Sequence, residues 1–213
     1  MAESAVDIRT FCLGPWQTNC FVVRTGDRSC WFVDAGFSPE PMIRHVQSNG
    51  LEPRAVLLTH AHVDHIAGLA ALREAWPQLP ILIHEDEQRF LTEPALNLSL
   101  VLDERFVAPP ATGTLQQGQD VELDGAAFEV RHTPGHSPGG ITLYHEPCGV
   151  AIVGDTLFAA SIGRTDFPTS NHEQLMASIR DQLLTLPDDT RVLPGHGPET
   201  TIGRERAQNP FVR

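Results

Sequence analysis

The chain predicts an α/β fold, with helices outside a core of two sheets, and three observations carry that prediction. Apolar runs with the length of buried strands alternate with stretches whose large apolar residues recur at helical spacing. The strands are many and are punctuated by Gly, Pro, Asn-Gly and Asp-Gly turns. The second half repeats the plan of the first, and Thr133-Pro134-Gly135-His136-Ser137-Pro138 is echoed by Leu193-Pro194-Gly195-His196-Gly197-Pro198. No linker-like composition separates the halves, so residues 1–213 read as a single domain.

In order, Ile8 to Leu13, Cys20 to Arg24 and Cys30 to Asp34 read as an N-terminal meander, with Gly26-Asp27 turning between the last two. Ser38 is a candidate N-cap for a helix over Pro39 to Ser48, ended by Asn49-Gly50. A strand over 54–58 leads into a His-rich turn, and a helix over 66–76 follows, stopped by Pro77. Ile81 to Ile83 is a short buried strand, and Glu85 to Leu91 is helical. Residues 93–113 read as irregular, although Leu96, Leu98, Leu100, Val101, Leu102 and Phe106 lie there. Val121 to Leu123 and Phe128 to Arg131 flank the turn Asp124-Gly125. Strands over Ile141 to Tyr144 and Val150 to Val153 come next, then a long loop from Asp155 to Asn171. A helix over Glu173 to Leu186, a strand over Arg191 to Leu193 and a helix over Ile202 to Gln208 complete the chain.

Composition excludes several classes of partner. Net charge is -12, which repels phosphate backbones and argues against nucleic acid. No run reaches the ~18 apolar residues of a membrane span, and the acidic start lacks a signal peptide's basic and apolar regions, so the expectation is a cytoplasmic protein with no membrane partner. All 15 basic residues are Arg. Cys12, Cys20, Cys30 and Cys148 form no Cys-x-x-Cys pair and read as reduced, mostly buried thiols. A monomer or small homo-oligomer is expected.

The chemistry concentrates in Thr59-His60-Ala61-His62-Val63-Asp64-His65, on a strand-to-helix turn. Neutral imidazole and carboxylate are ligands for zinc, iron or manganese. Three further candidates, His136, Asp155 and His196, each follow a strand and a glycine, which leaves room for close approach of an ion. Seven N/O donors exceed one tetrahedral ion with an open position and suit two. His60, His62 and His136 are assigned to one ion, and Asp64, His65 and His196 to the other. Asp155 bridges them, and a water is shared between the ions. His45, His84, His132, His145 and His172 lack this context and read as structural.

His60-x-His62-x-Asp64-His65, then His136, Asp155 and His196, resemble the complete ligand set of the metallo-β-lactamase superfamily. The resemblance implies an αβ/βα sandwich of two mixed sheets with helices on the outer faces and the site at one edge. Asp34 in Phe32-Val33-Asp34-Ala35-Gly36 matches the family's first motif, an aspartate that orients the ligands by hydrogen bonding. Gly154-Asp155-Thr156-Leu157-Phe158 and Gly163-Arg164-Thr165-Asp166-Phe167 resemble the glyoxalase II group. The chain ends soon after His196, so the C-terminal helical substrate-binding domain of full-length glyoxalase II is expected to be absent. That group has Lys and Tyr contacting glutathione where this chain has Arg164 and Asp166, which are candidates either for substrate binding with Phe167 or for a local ion pair.

The resemblance implies a metal-dependent thioester hydrolase acting on a small molecule such as S-lactoylglutathione. It would use two divalent ions per chain, zinc first with iron or manganese compatible. The metal-bridging water attacks the carbonyl, and Asp64 orients it while holding the second ion. The alternative is a persulfide dioxygenase with one iron on His60, His136 and Asp155. A β-lactamase and a non-catalytic metal-binding module are the remaining readings.

Overall fold

The computed structural model describes residues 6–26, 28–102 and 105–212, with the side chains of 101 and 102 left undescribed. Asp27 of the expected turn and the acidic start before residue 6 therefore lie outside the described residues. The chain divides into two compact units, Met1–Leu115 with Glu122–Ala127, and Gln116–Val121 with Phe128–Arg213.

The first unit holds a six-stranded mixed sheet in the order β1 (Val6–Leu13), β2 (Thr18–Thr25), β3 (Ser29–Val33), β4 (Glu52–Leu57), β5 (Ile81–His84) and β6 (Gly113–Leu115). The meander β1–β3 is antiparallel, as expected, and β3 through β6 run parallel. Val22, Phe32, Val56, Ile81 and Ile83 share a buried core with Met42 and Val46 of helix α1 (Glu40–Ser48) and Leu69 and Leu72 of helix α3 (Leu69–Ala75). Period-2 strands thus meet period-3.6 helices on one apolar face.

Three expectations are corrected here. Ser38 does not cap α1. Its φ is 55°, Pro39 holds the N-cap position, and no side-chain cap bond forms. The helix expected over 66–76 is two pieces, α2 (Val63–Ile66) and α3, because Gly68 N–H donates to Ala35 O at 2.7 Å instead of continuing the helix. A Cβ at Gly68 would stand 2.5 Å from Gly36 O, so only glycine permits that approach. Cysteines are not mostly buried: Cys20 and Cys30 are, but Cys12 and Cys148 are exposed, and all four are free thiols.

The second sheet has the order β14 (Thr200–Thr201), β13 (Arg191–Pro194), β10 (Val150–Gly154), β9 (Ile141–His145), β8 (Ala126–His132) and β7 (Asp120–Leu123). Only β10 and β13 are described as parallel; the other described pairs are antiparallel. Ala151, Val153 and Val192 pack with Leu175 of α4 (His172–Ser178), Ile179 and Leu183 of the π-helical turn that extends it, and Ile202 of α5 (Ile202–Gln208). The long loop after β10 carries a small hairpin, β11 (Leu157–Phe158) with β12 (Ser161–Ile162). The short strands β6, β11, β12 and β14 were not anticipated. The chain thus has two mixed sheets with helices, the α/β class expected. No helix among the described residues is long and apolar enough to cross a membrane.

Candidate metal centre

The donors fall into two sets, one in each unit. In the first unit the parallel register pairs Val33 of β3 with Leu57 of β4, so the residues leaving both strands emerge side by side. Asp34 leaves β3 with φ 59°, a conformation that Asp tolerates better than most residues. Its carboxylate is fully buried and accepts three hydrogen bonds. Thr59 N–H donates to Oδ1 at 2.8 Å, Thr59 Oγ1 donates to Oδ2 at 2.7 Å, and His65 Nδ1 donates to Oδ2 at 2.8 Å.

These bonds select the tautomers. His65 carries its proton on Nδ1, which leaves the Nε2 lone pair for an ion. The Thr59 hydroxyl spends its proton on Asp34, so it accepts from His60 Nδ1 at 3.2 Å, and His60 likewise keeps its Nε2 lone pair. The His60 ring centroid lies 4.1 Å from that of His65 and 4.7 Å from that of His62, so the three imidazoles are packed together. Asp64 in α2 accepts from Thr18 Oγ1 at 2.8 Å, and its Oδ2 lies 3.5 Å from His65 Nε2. All four are under 5% exposed.

In the second unit the parallel pair β10 and β13 plays the corresponding part, with Gly154 opposite Pro194. Asp155 and His196 emerge from these ends, and Asp155 Oδ2 lies 3.5 Å from both His196 Nε2 and His136 Nε2. His136 Nδ1 donates to Arg164 O at 2.9 Å, which again leaves the Nε2 lone pair. Gly163 explains how the loop reaches that position: a Cβ there would stand 1.9 Å from Asp155 O. Phe167 packs edge-on to His136 and Phe158 edge-on to His196, with centroids 5.8 and 6.2 Å apart.

Arg164 and Asp166 form a bidentate pair at 2.9 and 2.8 Å, and the guanidinium carbon sits 4.5 Å from the Phe167 ring centre. That hydrogen bond holds Asp166 below the ordinary carboxylate range and Arg164 above its usual value. Leu96 packs against the first unit's core, while Leu100 is 48% exposed.

The donor chemistry fits divalent metal. Each set combines imidazole lone pairs with carboxylate, and Asp34, Asp64 and Asp155 have side chains at most 10% exposed. Burying such charge is costly unless a cation compensates it.

Comparison with known proteins decides the family. The sequence profile described as Metallo-beta-lactamase superfamily matches residues 13–196. The chain belongs to the metallo-β-lactamase superfamily. It is 39% identical over 201 residues to the Bacillus subtilis (strain 168) protein named Probable metallo-hydrolase YqgX, covering 94% of each chain. It is 36% identical over 203 residues to Hydroxyacylglutathione hydrolase GloC of Haemophilus influenzae, covering 92% of this chain and 93% of that one. Among solved structures, BLEG-1 B3 metallo-β-lactamase superposes with TM-score 0.92 at 40% identity, covering 97% and 99%. TTHA1623 in a di-iron-bound form superposes with TM-score 0.84 at 39% identity, covering 95% and 99%. The chain therefore has the fold of this superfamily of metallo-hydrolases, with His/Asp metal-site residues sufficient for two ions.

Sequence reasoning missed three groups that hold the first set. They are Thr18 on Asp64, buried Glu87, whose Oε2 accepts from Ala61 N–H at 3.0 Å, and Asn97, whose carbonyl accepts from Val63 N–H at 2.8 Å. Glu87 sits in Glu85-Asp86-Glu87, an acidic run that reads as a solvated helix start, so nothing in the sequence flags it.

Proposed function

We propose that this protein is a metal-dependent thioester hydrolase of the glyoxalase II type, which converts S-lactoylglutathione or a related acyl thioester and water to an acid and a thiol. The observation that supports this reading is the identity to a hydroxyacylglutathione hydrolase along nearly the whole of both chains. In this reading both donor sets serve one pair of divalent ions. His60, His62 and His136 would hold one, Asp64, His65 and His196 would hold the other, and Asp155 would serve both. Zinc is the expected metal, and the relative described as di-iron-bound keeps iron in view alongside manganese. Two such ions supply hydroxide near neutral pH and Lewis acidity toward a carbonyl.

The chain's own groups then have separable tasks. Asp34 presents His65, and His60 through Thr59, in the tautomer that binds. Thr18 holds one oxygen of Asp64, and Asp64 would orient the water that the ions activate. Phe158 and Phe167 wall the imidazoles with apolar surface for the substrate. The C–S bond breaks, and the departing thiol, with a pKa of ~8.5, leaves as thiolate without a strong general acid. Arg164 is committed to Asp166, so an anionic thiol such as glutathione binds by exchanging with that carboxylate. A single-domain cytoplasmic enzyme, monomeric or a small homo-oligomer, completes the proposal.

A second reading, β-lactam hydrolysis, is favoured by the 40% identity to BLEG-1. Purified protein assayed on S-lactoylglutathione, a panel of acyl thioesters and a chromogenic β-lactam separates the two. Thioester turnover is expected, lost in His65→Ala and His196→Ala, with two metals by elemental analysis and fewer in Asp155→Ala. Turnover of the lactam alone would select the second reading. Rapid oxygen uptake with glutathione persulfide and iron, without hydrolysis, would select the dioxygenase.

A further inference from the structure

We infer that Glu87 is a positioning residue of the metal centre, setting the spacing of the His60 and His62 imidazoles through the peptide between them. The inference rests on the metal reading above. Along the loop after β4, alternate amides are fastened to three different parts of the first unit: Thr59 N–H to Asp34 Oδ1 at 2.8 Å, Ala61 N–H to Glu87 Oε2 at 3.0 Å, and Val63 N–H to Asn97 O at 2.8 Å. The residues between these fixed points are His60 and His62. His62 is extended, at φ -68° and ψ 149°, and each imidazole is flanked on both sides by a fastened amide, so the backbone that carries it is held before and after it.

Glu87 is a costly choice for a mere packing role. It is 0% exposed, and a buried carboxylate is expensive where a well-packed apolar side chain would serve. Its mount is rigid. The 3-10 helix Glu85–Leu91 is capped at its start, where the His84 ring accepts from Asp86 N–H, and Phe90 and Leu91 anchor it in the core. The carboxylate therefore reaches Ala61 from a fixed base, and the middle amide of the ligand loop moves only if that bond breaks.

The test compares two neutral replacements of similar length in the full chain loaded with cobalt(II). Glu87→Gln keeps an oxygen for the Ala61 amide, and Glu87→Met does not. Visible absorption reports coordination geometry, chelator competition reports affinity, and the melting of metal-free protein reports the fold. We expect Glu87→Gln to retain the wild-type cobalt spectrum. We expect Glu87→Met to shift that spectrum and lose ~10–100-fold in affinity, the usual effect of removing a group that orients a ligand. Glu87→Asp, which keeps charge but falls short of the amide, stands in if the Met variant fails to fold and should shift the spectrum likewise. Wild-type spectrum and affinity in Glu87→Met, or equal change in Gln and Met, would overturn the inference. Wild-type protein that takes up no cobalt would instead overturn the metal reading beneath it.

Discussion

Replacing Asp34 by Asn should remove metal while sparing the fold, and the hydrogen bonds say why. Thr59 N–H faces Oδ1, so the amide oxygen of Asn must sit there; the opposite flip would set two donors 2.8 Å apart. The NH2 group then faces His65 Nδ1 and Thr59 Oγ1, which accepts by turning its own proton to His60 Nδ1, so that His60 too carries its proton on Nε2. To accept, His65 must move its proton to Nε2, the atom needed by the ion. Every buried group stays bonded, so the stability loss should be about 1 kcal/mol or less, the net worth of one ordinary hydrogen bond. For a chain of this size that corresponds to roughly 2–4 °C in the melting temperature. Asp34→Ala is a different perturbation. It strips three bonds to a buried carboxylate, each worth ~1.5–3 kcal/mol and not additive, and it places Ala at positive φ, costing ~1–2 kcal/mol more. A loss of ~3–5 kcal/mol is expected, near the upper end for single substitutions. Differential scanning fluorimetry on metal-free protein and elemental analysis after loading check both. Asp34→Asn that binds two ions as tightly as wild type would refute the tautomer argument.

Gly163→Ala should displace the loop from Asp155, since its Cβ would stand 1.9 Å from Asp155 O and 3.1 Å from His136 Cβ; a loss of about 1–3 kcal/mol is expected, with weaker metal retention against a chelator, and an unchanged melting curve would contradict the contact. In native protein a thiol reagent should titrate exposed Cys12 and Cys148 and reach buried Cys20 and Cys30 only after unfolding, while the fourfold Cys→Ser protein keeps its turnover. Burial pushes the Cys30 thiol from 9.0 up to about 12. A raised folded-state value contributes stability that is complete below pH 9 and declines as pH climbs from about 9 toward 12. Cys30→Ala should flatten that alkaline limb in denaturation curves, and an identical limb would count against the assignment.

The candidate donors are legible in the sequence because imidazole and carboxylate are recognisable by residue type. His60, His62, Asp64 and His65 are consecutive enough to be seen together, and His136, Asp155 and His196 each stand after a strand and a glycine. Boundaries were legible where local chemistry sets them, as at the Asp124-Gly125 turn, with φ 49° and 85°, and α5, whose Thr201 side chain caps it. What stayed hidden depends on distant partners. Periodicity runs unbroken through 66–76, yet Ala35 and Gly36, some thirty residues earlier, interrupt the helix at Gly68. The short strands exist only by pairing, so two or three residues of β6 or β14 carry no pattern of their own. Thr18, Glu87 and Asn97 are ordinary residues whose importance lies in what folds against them.

The ligand loop's three fastenings also bear on the order in which this protein is built. Asp34, Glu87 and Asn97 come from segments spread over much of the first unit. Contacts so far apart along the chain close late, because loop-closure entropy must be met before they form. An ion meeting the nascent chain would find imidazoles without the geometry to hold it. Unlike a small zinc module that folds around its metal, this chain should fold first and be loaded afterwards, so metal supply would govern how much of the protein is active rather than how much of it exists.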